Sequence, residues 1–220
     1  MSDNDYIATN SAESFGTAGE CAMHPSSDPT RRTFISTAIA TGACLAAASG
    51  SAAAEEDQPG KDARPQKADL LVVSEGEHKG EVIKPENLML GGPPVRAWPK
   101  DPKSSVIRDG SRLNEVLVIR LDPAELDDDT RGRSADGIVA YSAICTHAAC
   151  PVTGWVKGAA GDKEVLKCFC HNSEFDPRQS AQFIFGPAQR RLAALPLALS
   201  DGSLVVADKF VGKVGSQPGG

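Results

Sequence analysis

The sequence predicts an all-β protein, an antiparallel β-sandwich with a small subdomain, which follows an N-terminal segment of different character. Three observations support this fold class. Short runs of apolar and β-branched residues recur from residue 69 onward, each bounded by Gly, Pro, Asp or Ser. No stretch of about a dozen residues keeps an apolar period of 3.6. The 220 residues include 21 glycines and 15 prolines, so turns are plentiful.

Residues 1–54 are predicted to be a twin-arginine export signal, unstructured or helical, that directs the protein to the periplasm. Arg31 and Arg32 precede the uncharged stretch 33–54, which ends in three alanines before Glu55. The stretch is long enough to span a bilayer, which takes about 17–25 residues. Because it is rich in Ala, Ser, Thr and Gly, cleavage is favoured over retention as a membrane anchor. A disordered tail that contains an arginine pair by chance is the alternative.

The rest of the chain divides into a charged linker at 55–68, a β domain at 69–212 and a tail at 213–220. A short helix is expected near 123–128, and the proline-rich segment 91–105 is expected to be a loop. The apolar runs predict strands at 70–74, 81–84, 116–121, 137–144, 164–169, 183–185, 195–199 and 203–210.

Composition excludes some functions. The net charge of −6 is spread along the chain, and no basic patch for nucleic acid is present. Six cysteines are too few, in a chain of this length, to form a disulfide scaffold by density. The sequence shows no convincing catalytic nucleophile, acid/base pair or phosphate-binding loop. We therefore do not expect the chain to turn over a substrate without a partner.

Four of the six cysteines and two of the four histidines lie in two short motifs, CTHAAC at 145–150 and CFCHNSEFD at 168–176. The Cys-x-His and Cys-x-x-His pairs within them offer two thiolates and two imidazoles. Thiolates suit an iron–sulfur cluster or zinc, and imidazole suits either metal. Such a set occurs in one class of [2Fe–2S] centre and in structural zinc sites. A purely disulfide framework would leave both histidines unexplained.

The two motifs, followed by the Gly-Pro-Ala turn at 186–188, resemble the Rieske iron–sulfur family with its loop-closing disulfide. The family pattern is C-x-H-x-x-C, then C-x-C-H-x-S. The resemblance covers residues 136–207 well and residues 69–135 only loosely. It implies one [2Fe–2S] cluster, bound by a part of the domain at about 140–190. A structural zinc site becomes the weaker alternative, because it would leave two motif cysteines without a role.

Carried over by position, the resemblance implies a role for each motif residue. Cys145 and Cys168 would bind the inner iron, and His147 and His171 the outer, solvent-facing iron. Other implied residues lie around the cluster: Cys150 and Cys170 as a disulfide, Gly186 and Pro187 as a covering loop, and Ser173 and Phe175 beside the ligands.

The resemblance also indicates the reduction potential. Two neutral imidazoles in place of two thiolates lower the negative charge of the cluster and raise its potential, to roughly −150 to +300 mV against about −400 mV for plant-type clusters. Ser173 matches the position of the family's hydroxyl donor, and Phe175 stands where high-potential members carry Tyr. Since phenylalanine has no hydroxyl, we expect a potential below that of members with both donors.

The chain is accordingly expected to be an electron-transfer subunit rather than a stand-alone enzyme. The stretches around both motifs are similar to the arsenite oxidase small subunit, which implies a larger oxidoreductase subunit as partner and electrons passing towards a c-type cytochrome. The Rieske subunit of a cytochrome bc complex, which oxidises quinol, is the first alternative. A free periplasmic carrier is the second. Residues 33–54 would supply any membrane association.

Overall fold

The structure is a computed structural model, and it describes residues 58–159 and 161–216. The predicted export signal, with Arg31 and Arg32, lies outside the described residues and stays a prediction. Within the described part of the chain, no helix has both the length and the apolar character needed to cross a membrane.

The described residues form ten strands in two antiparallel sheets and one short α-helix, so the all-β prediction is confirmed. The larger sheet has six strands in the order β4-β3-β2-β1-β10-β9, and the smaller has the order β5-β6-β7-β8. The strands are β1 (Leu70–Val73), β2 (Val95–Lys100), β3 (Val116–Arg120), β4 (Ile138–Ser142), β5 (Gly154–Lys157), β6 (Glu164–Cys168), β7 (Ser173–Asp176), β8 (Gln182–Phe185), β9 (Leu197–Ser200) and β10 (Ser203–Val206). The helix α1 is the single turn Asp128–Arg131.

The larger sheet closes on itself. Its edge strand β4 is hydrogen-bonded to the chain that leads into β9, which is the strand at the opposite edge of the sheet. The amide of Ser142 donates to the carbonyl of Ala193 at 2.8 Å, and the amide of Leu195 donates to the carbonyl of Ala140 at 2.9 Å. The closed sheet therefore has an inside and an outside, and both have to be covered.

Alternate residues of β3 and β4 supply two separate cores, because successive side chains point to opposite faces of a strand. One set lies within the closed sheet with side chains from β1, β2 and β10: Val116, Val118, Ile138 and Ala140. The other set packs against the smaller sheet: Leu117, Ile119, Val139 and Tyr141. From the smaller sheet, Leu166 and Phe175 complete this second core.

The prediction of a loop over 91–105 is wrong in its middle, where β2 lies. The sequence argues against a central strand there, because Pro99 has no amide hydrogen to donate. However, β2 pairs with β3 only over Val95 to Ala97. At Pro99 the strand has passed the end of β3, and the proline carbonyl accepts from the amide of Arg108 at 2.8 Å.

Two more strands, β5 and β7, were not predicted, and the run at 81–84 forms only an isolated bridge between Val82 and Val72. In place of the helix expected at 123–128, the chain has a 3₁₀ turn over Pro123–Glu125 and then α1.

The described part of the segment predicted as a linker is hydrogen-bonded to the domain. The side-chain amide of Asn114 donates a hydrogen bond to the carbonyl of Ala63 at 2.9 Å, and the backbone amide of Gly110 donates to the carbonyl of Lys61 at 3.1 Å. Directly after this segment, Asp69 forms a buried two-point ion pair with Arg108, with N–O distances of 2.6 and 3.0 Å. The chain thus enters β1 already fixed to the larger sheet.

Candidate metal centre

Two loops carry the motif residues, and they belong to different sheets. The first loop, residues 145–150, follows β4; the amide of Cys145 donates to the carbonyl of Cys150 at 2.8 Å, and that of Ala149 to Cys145 at 3.1 Å. The second loop, residues 168–173, is the turn of the β6–β7 hairpin, with Cys168 opposite Ser173. The predicted ligands therefore meet where the smaller sheet packs on the outside of the larger one.

The structure gathers the four motif cysteines into one group. The sulfur atoms of Cys150, Cys168 and Cys170 lie within 4.8 Å of one another, and the thiol of Cys145 is a hydrogen-bonding neighbour of Cys168. All four are free in the structure, so the Cys150–Cys170 disulfide stays a prediction. Distance does not separate the two predicted pairs, but burial does. Cys145 and Cys168 are each 1% exposed, whereas Cys150 is half-buried and Cys170 is exposed.

The buried thiol of Cys168 is held in its neutral form. Burial, together with the neighbouring thiols, raises the pKa of Cys168 to about 12. Contact with the Cys170 thiol, and then burial, raises the pKa of Cys150. A metal that binds Cys168 must therefore displace its proton, and the binding of that metal releases protons.

The two motif histidines lie side by side, and both are more exposed than Cys145 and Cys168. Their ring centroids are 4.7 Å apart, and the rings are nearly perpendicular, at 83°. His147 is half-buried and His171 is exposed. Among the described residues, His147 Nδ1 is one of two buried side-chain polar atoms without a hydrogen-bond partner; the other is Asn114 Oδ1. An unpartnered buried nitrogen costs about 1–3 kcal/mol, a cost that a bound metal would remove.

A third loop, residues 186–190, lies directly on the second. The backbone of Gly186 has φ +89°, and a Cβ there would lie 2.6 Å from the carbonyl oxygen of Asn172, so only glycine allows this approach. The amide of Ala188 donates to Ser173 Oγ at 3.2 Å. Directly opposite residues of an antiparallel pair share a face, so Ser173 lies beside Cys168. Its hydroxyl accepts from Ala188 and still has a hydrogen to donate.

Two aromatic residues of the motifs have different surroundings. Phe175 is fully buried in the core between the sheets, opposite Leu166. Phe169 is 57% exposed, and its ring lies against Gly154, where any side chain would collide with it. The aromatic side chain between Cys168 and Cys170 is thus open to solvent or to a partner.

The residues present fit a [2Fe–2S] cluster with mixed ligands. The site offers two buried cysteines and two adjacent, more exposed histidines. The buried Nδ1 of His147, which has no hydrogen-bond partner, is available as a ligand atom. Thiolate and imidazole are the donor types that such a centre uses.

Comparison with known proteins agrees with this chemistry. The chain matches the family described as "Rieske [2Fe-2S] domain" over residues 112–196. A Haloferax mediterranei protein named as the Rieske subunit of a respiratory nitrate reductase is 41% identical over 162 residues, which is 70% of each chain. The Rieske subunit of the cytochrome bc1 complex of Streptomyces lividans is 38% identical over 87 residues, and that of Mycobacterium tuberculosis is 30% identical over 149 residues.

The bc1 relatives are longer proteins: the matched region covers 49% of the Streptomyces lividans subunit and 34% of the Mycobacterium tuberculosis subunit. Among solved structures, the soluble domain of Rieske protein II from Sulfolobus acidocaldarius superposes with a TM-score of 0.32 and 17% identity, over 46% of this chain and 66% of that chain. The ferredoxin of carbazole 1,9a-dioxygenase from Nocardioides aromaticivorans superposes with a TM-score of 0.37 and 18% identity, over 67% of this chain and all of that chain.

The chain belongs to the Rieske [2Fe–2S] family. It is an iron–sulfur electron-transfer protein that binds one [2Fe–2S] cluster.

Sequence reasoning missed several residues that shape this site. Thr146 lies between two predicted ligands, and its hydroxyl donates to the carbonyl of Arg190 in the third loop at 2.7 Å. Arg190 in turn binds the C-terminal segment through the carbonyl of Gly215 at 2.8 Å. No motif marks these contacts, because their partners are 44 and 25 residues apart in the chain.

Proposed function

We propose that Cys145, His147, Cys168 and His171 hold the cluster and that the chain is the small Rieske subunit of a periplasmic multi-subunit oxidoreductase. The observation that carries the proposal is the graded burial of these four side chains. The cysteines lie in the core between the sheets, and the histidines lie together at the surface. An electron enters or leaves such a site at its histidine end.

When bound, the cluster supplies one-electron transfer. The residues of the chain supply the rest. The core around Cys145 and Cys168 excludes water from the inner end, and Ser173 offers a hydroxyl hydrogen beside Cys168 that favours added negative charge. Phe175 offers none, which supports a potential below that of relatives with a tyrosine there.

Cys150 and Cys170 are proposed to form a disulfide between the first and second loops. Their sulfur atoms lie within 4.8 Å of each other. Such a bond would fasten together the two loops that hold the ligands, and an oxidising compartment would preserve it. This is consistent with export to the periplasm, which rests on the arginine pair of the N-terminal segment.

The partner is proposed to be a larger oxidoreductase subunit, as in arsenite oxidase, with electrons passing to a c-type cytochrome. The extent of the matches supports a complex other than bc1. The nitrate reductase relative matches over 70% of both chains, whereas the bc1 subunits of Streptomyces lividans and Mycobacterium tuberculosis match over 39% and 60% of this chain and over only 49% and 34% of their own length. A likeness that covers most of both chains favours a similar setting for the whole subunit.

A bc1 subunit is the second candidate, since the relatives from Streptomyces and Mycobacterium carry that name. Purification of the tagged protein from its own cells, followed by identification of the subunits present in equal amounts, separates the two. We expect a large oxidoreductase subunit and reduction of added c-type cytochrome with that enzyme's substrate. Stoichiometric cytochrome b and quinol-driven reduction would establish the bc1 role instead, and recovery from the cytoplasm alone would overturn the periplasmic assignment.

A further inference from the structure

The last described residues of the chain run beside the first loop. This segment, residues 211–216, is called the strap. At its start, Val211 exchanges two backbone hydrogen bonds with Ala194, at 2.8 and 3.0 Å. At its far end, Gly215 is buried against the first loop: a Cβ at Gly215 would contact Ile144 at 3.4 Å and Ala149 at 3.8 Å.

Arg190 holds the strap to the third loop. Its guanidinium group donates to the carbonyl of Gly215 at 2.8 Å and to that of Lys213 at 3.3 Å. One planar group thereby fixes two carbonyls of the strap, a task that suits the fork of an arginine better than a lysine ammonium.

Arg190 is also attached to the first loop. Its own carbonyl accepts the hydroxyl of Thr146 at 2.7 Å, and Thr146 is only 7% exposed. Thr146 stands between Cys145 and His147, so this bond fixes the backbone that connects two proposed ligands. The contacts form a closed circuit: first loop to Arg190, Arg190 to the strap, and the strap back to the first loop.

The first loop needs this external support because it has little of its own. Ala148 and Ala149 have small side chains, and Ala149 has φ +55°, a left-handed conformation that is strained for alanine. Within the loop, two backbone bonds close the turn, donated by the amides of Cys145 and Ala149. The second loop is the turn of the β6–β7 ladder, whereas the first loop is closed at its base by a single bridge between Ile144 and Pro151 and by the amide of Val152, which donates to the carbonyl of Ala143 at 2.8 Å.

We propose that the strap and Arg190 position the first loop, and with it His147, and that Arg190 is therefore a positioning residue for the cluster. The inference rests on the ligand set proposed above. Arg190 touches no proposed ligand side chain in the structure, and its effect is transmitted through Thr146 and Gly215.

The neighbouring Arg191 provides a matched control, since it carries the same charge, is exposed and makes no hydrogen bond or ion pair with the described part of the chain. Hydrogen–deuterium exchange on the purified iron-loaded protein would compare R190A with R191A. We expect amides of residues 144–150 to exchange about tenfold faster in R190A, because bonds to a charged donor are lost. R191A should match the wild-type protein. Equal exchange of this segment in both variants would overturn the proposal.

A second readout distinguishes positioning from general stability. Removing either positive charge lowers the reduction potential through the loss of a nearby cation, so R191A reports the charge effect alone. We expect R190A to shift the potential further than R191A and to broaden the electron paramagnetic resonance (EPR) signal, and we expect R190K to recover only part of the shift. Identical shifts in R190A and R191A would contradict a positioning role.

If R190A is too unstable to purify, Thr146→Val removes the hydrogen bond from the first loop to the carbonyl of Arg190 and leaves the bonds from Arg190 to the strap in place. We expect faster exchange at 144–150 with unchanged exchange at 211–215. Uniform acceleration across β3 and β4 would show a global effect and overturn the proposal. Failure of the ligand set is recognised separately, because the wild-type protein would then lack a Rieske EPR signal.

Discussion

One edge strand of the larger sheet and one edge strand of the smaller sheet differ completely in burial. Every residue of β4, in the larger sheet, is buried, whereas every residue of β8, at the edge of the smaller sheet, is exposed. The closed larger sheet has a core on each of its faces, and the smaller sheet has a core on one. The larger sheet is therefore mainly a scaffold, and the smaller sheet presents the second loop and its ligands to the outside.

From this contrast we expect the larger sheet to affect stability without affecting the redox properties. Both sheets hold a buried carboxylate in an ion pair: Asp69 with Arg108 in the larger sheet, and Glu174 with Lys167, at 3.0 Å, in the smaller. Only the second pair lies one residue from Cys168. Substitutions in the larger sheet should change the unfolding free energy and leave the potential unchanged, while substitutions around the second loop should shift the potential as well.

The largest effect is expected from the cysteines of the second loop. Cys168→Ala removes a buried proposed ligand, so iron should be lost from the purified protein. Cys170→Ala, two residues away, should keep its iron and only loosen the loops. Iron and acid-labile sulfide analysis of both variants checks this. Loss of iron in Cys170→Ala with retention in Cys168→Ala would show that Cys170, and not Cys168, is the ligand.

The next effect concerns the scaffold. Arg108→Ala leaves Asp69 as a buried carboxylate without its partner, which costs about 3–5 kcal/mol of unfolding free energy. The control Lys61→Ala breaks a partly exposed pair with Asp109 and should cost less than about 1 kcal/mol. Urea denaturation measures both, and the reduction potential should stay at the wild-type value. A shift of the reduction potential in Arg108→Ala would show that the larger sheet also influences the cluster.

A pair of buried serines, one in each sheet region, tests the same separation of stability from reduction potential. Ser173→Ala removes a possible donor beside Cys168, and the loss of one hydrogen bond to a charged group, about 1.5 kcal/mol, corresponds to a potential roughly 60 mV lower. Ser142→Ala is the control, since Ser142 is equally buried and accepts the amide of Ile144 at 3.1 Å.

Both serine variants should lose similar stability, about 1 kcal/mol each. Only Ser173→Ala should move the midpoint in a potentiometric titration. Equal potentials in the two variants would mean that the Ser173 hydroxyl does not donate to the cluster.

The smallest effect is expected at the open edge. Phe185→Ser, in β8, replaces a side chain that is 49% exposed, and should change the unfolding free energy by less than about 1 kcal/mol. Phe175→Ala, in the neighbouring strand β7, removes a fully buried ring and should cost about 3–5 kcal/mol. Thermal denaturation of the two variants compares them. A large loss in Phe185→Ser would show that β8 is covered by contacts that the described residues do not show.

The sequence predicts the fold where burial is simple. The strands β1, β3, β4 and β10, all in the larger sheet, are continuous apolar runs. Strands that are covered on both faces are the easiest to predict, because nearly all of their residues are apolar. The strand β7, Ser-Glu-Phe-Asp, was missed because its buried Glu174 looks like a surface residue until its partners are known. Those partners are Lys167 across the β6–β7 ladder and the amide of Ala159 at 2.8 Å.

The candidate site was predictable to the extent that its residues are local. Each motif places a thiol and an imidazole within four residues, so the ligand types can be predicted from the sequence alone. The supports of the site come from elsewhere in the chain. The bond of Thr146 to Arg190 and that of Arg190 to Gly215 depend on how three separate segments meet, and no periodicity encodes them.

The central claim is that two cysteines and two histidines, at the junction of the two sheets, hold the iron. A potentiometric titration followed by EPR, with iron and sulfide analysis of the same sample, tests it most directly. The account predicts two irons and two sulfides per chain and a one-electron midpoint between about −150 and +300 mV. Zinc without sulfide, or a midpoint near about −400 mV as in clusters with four cysteines, would contradict it.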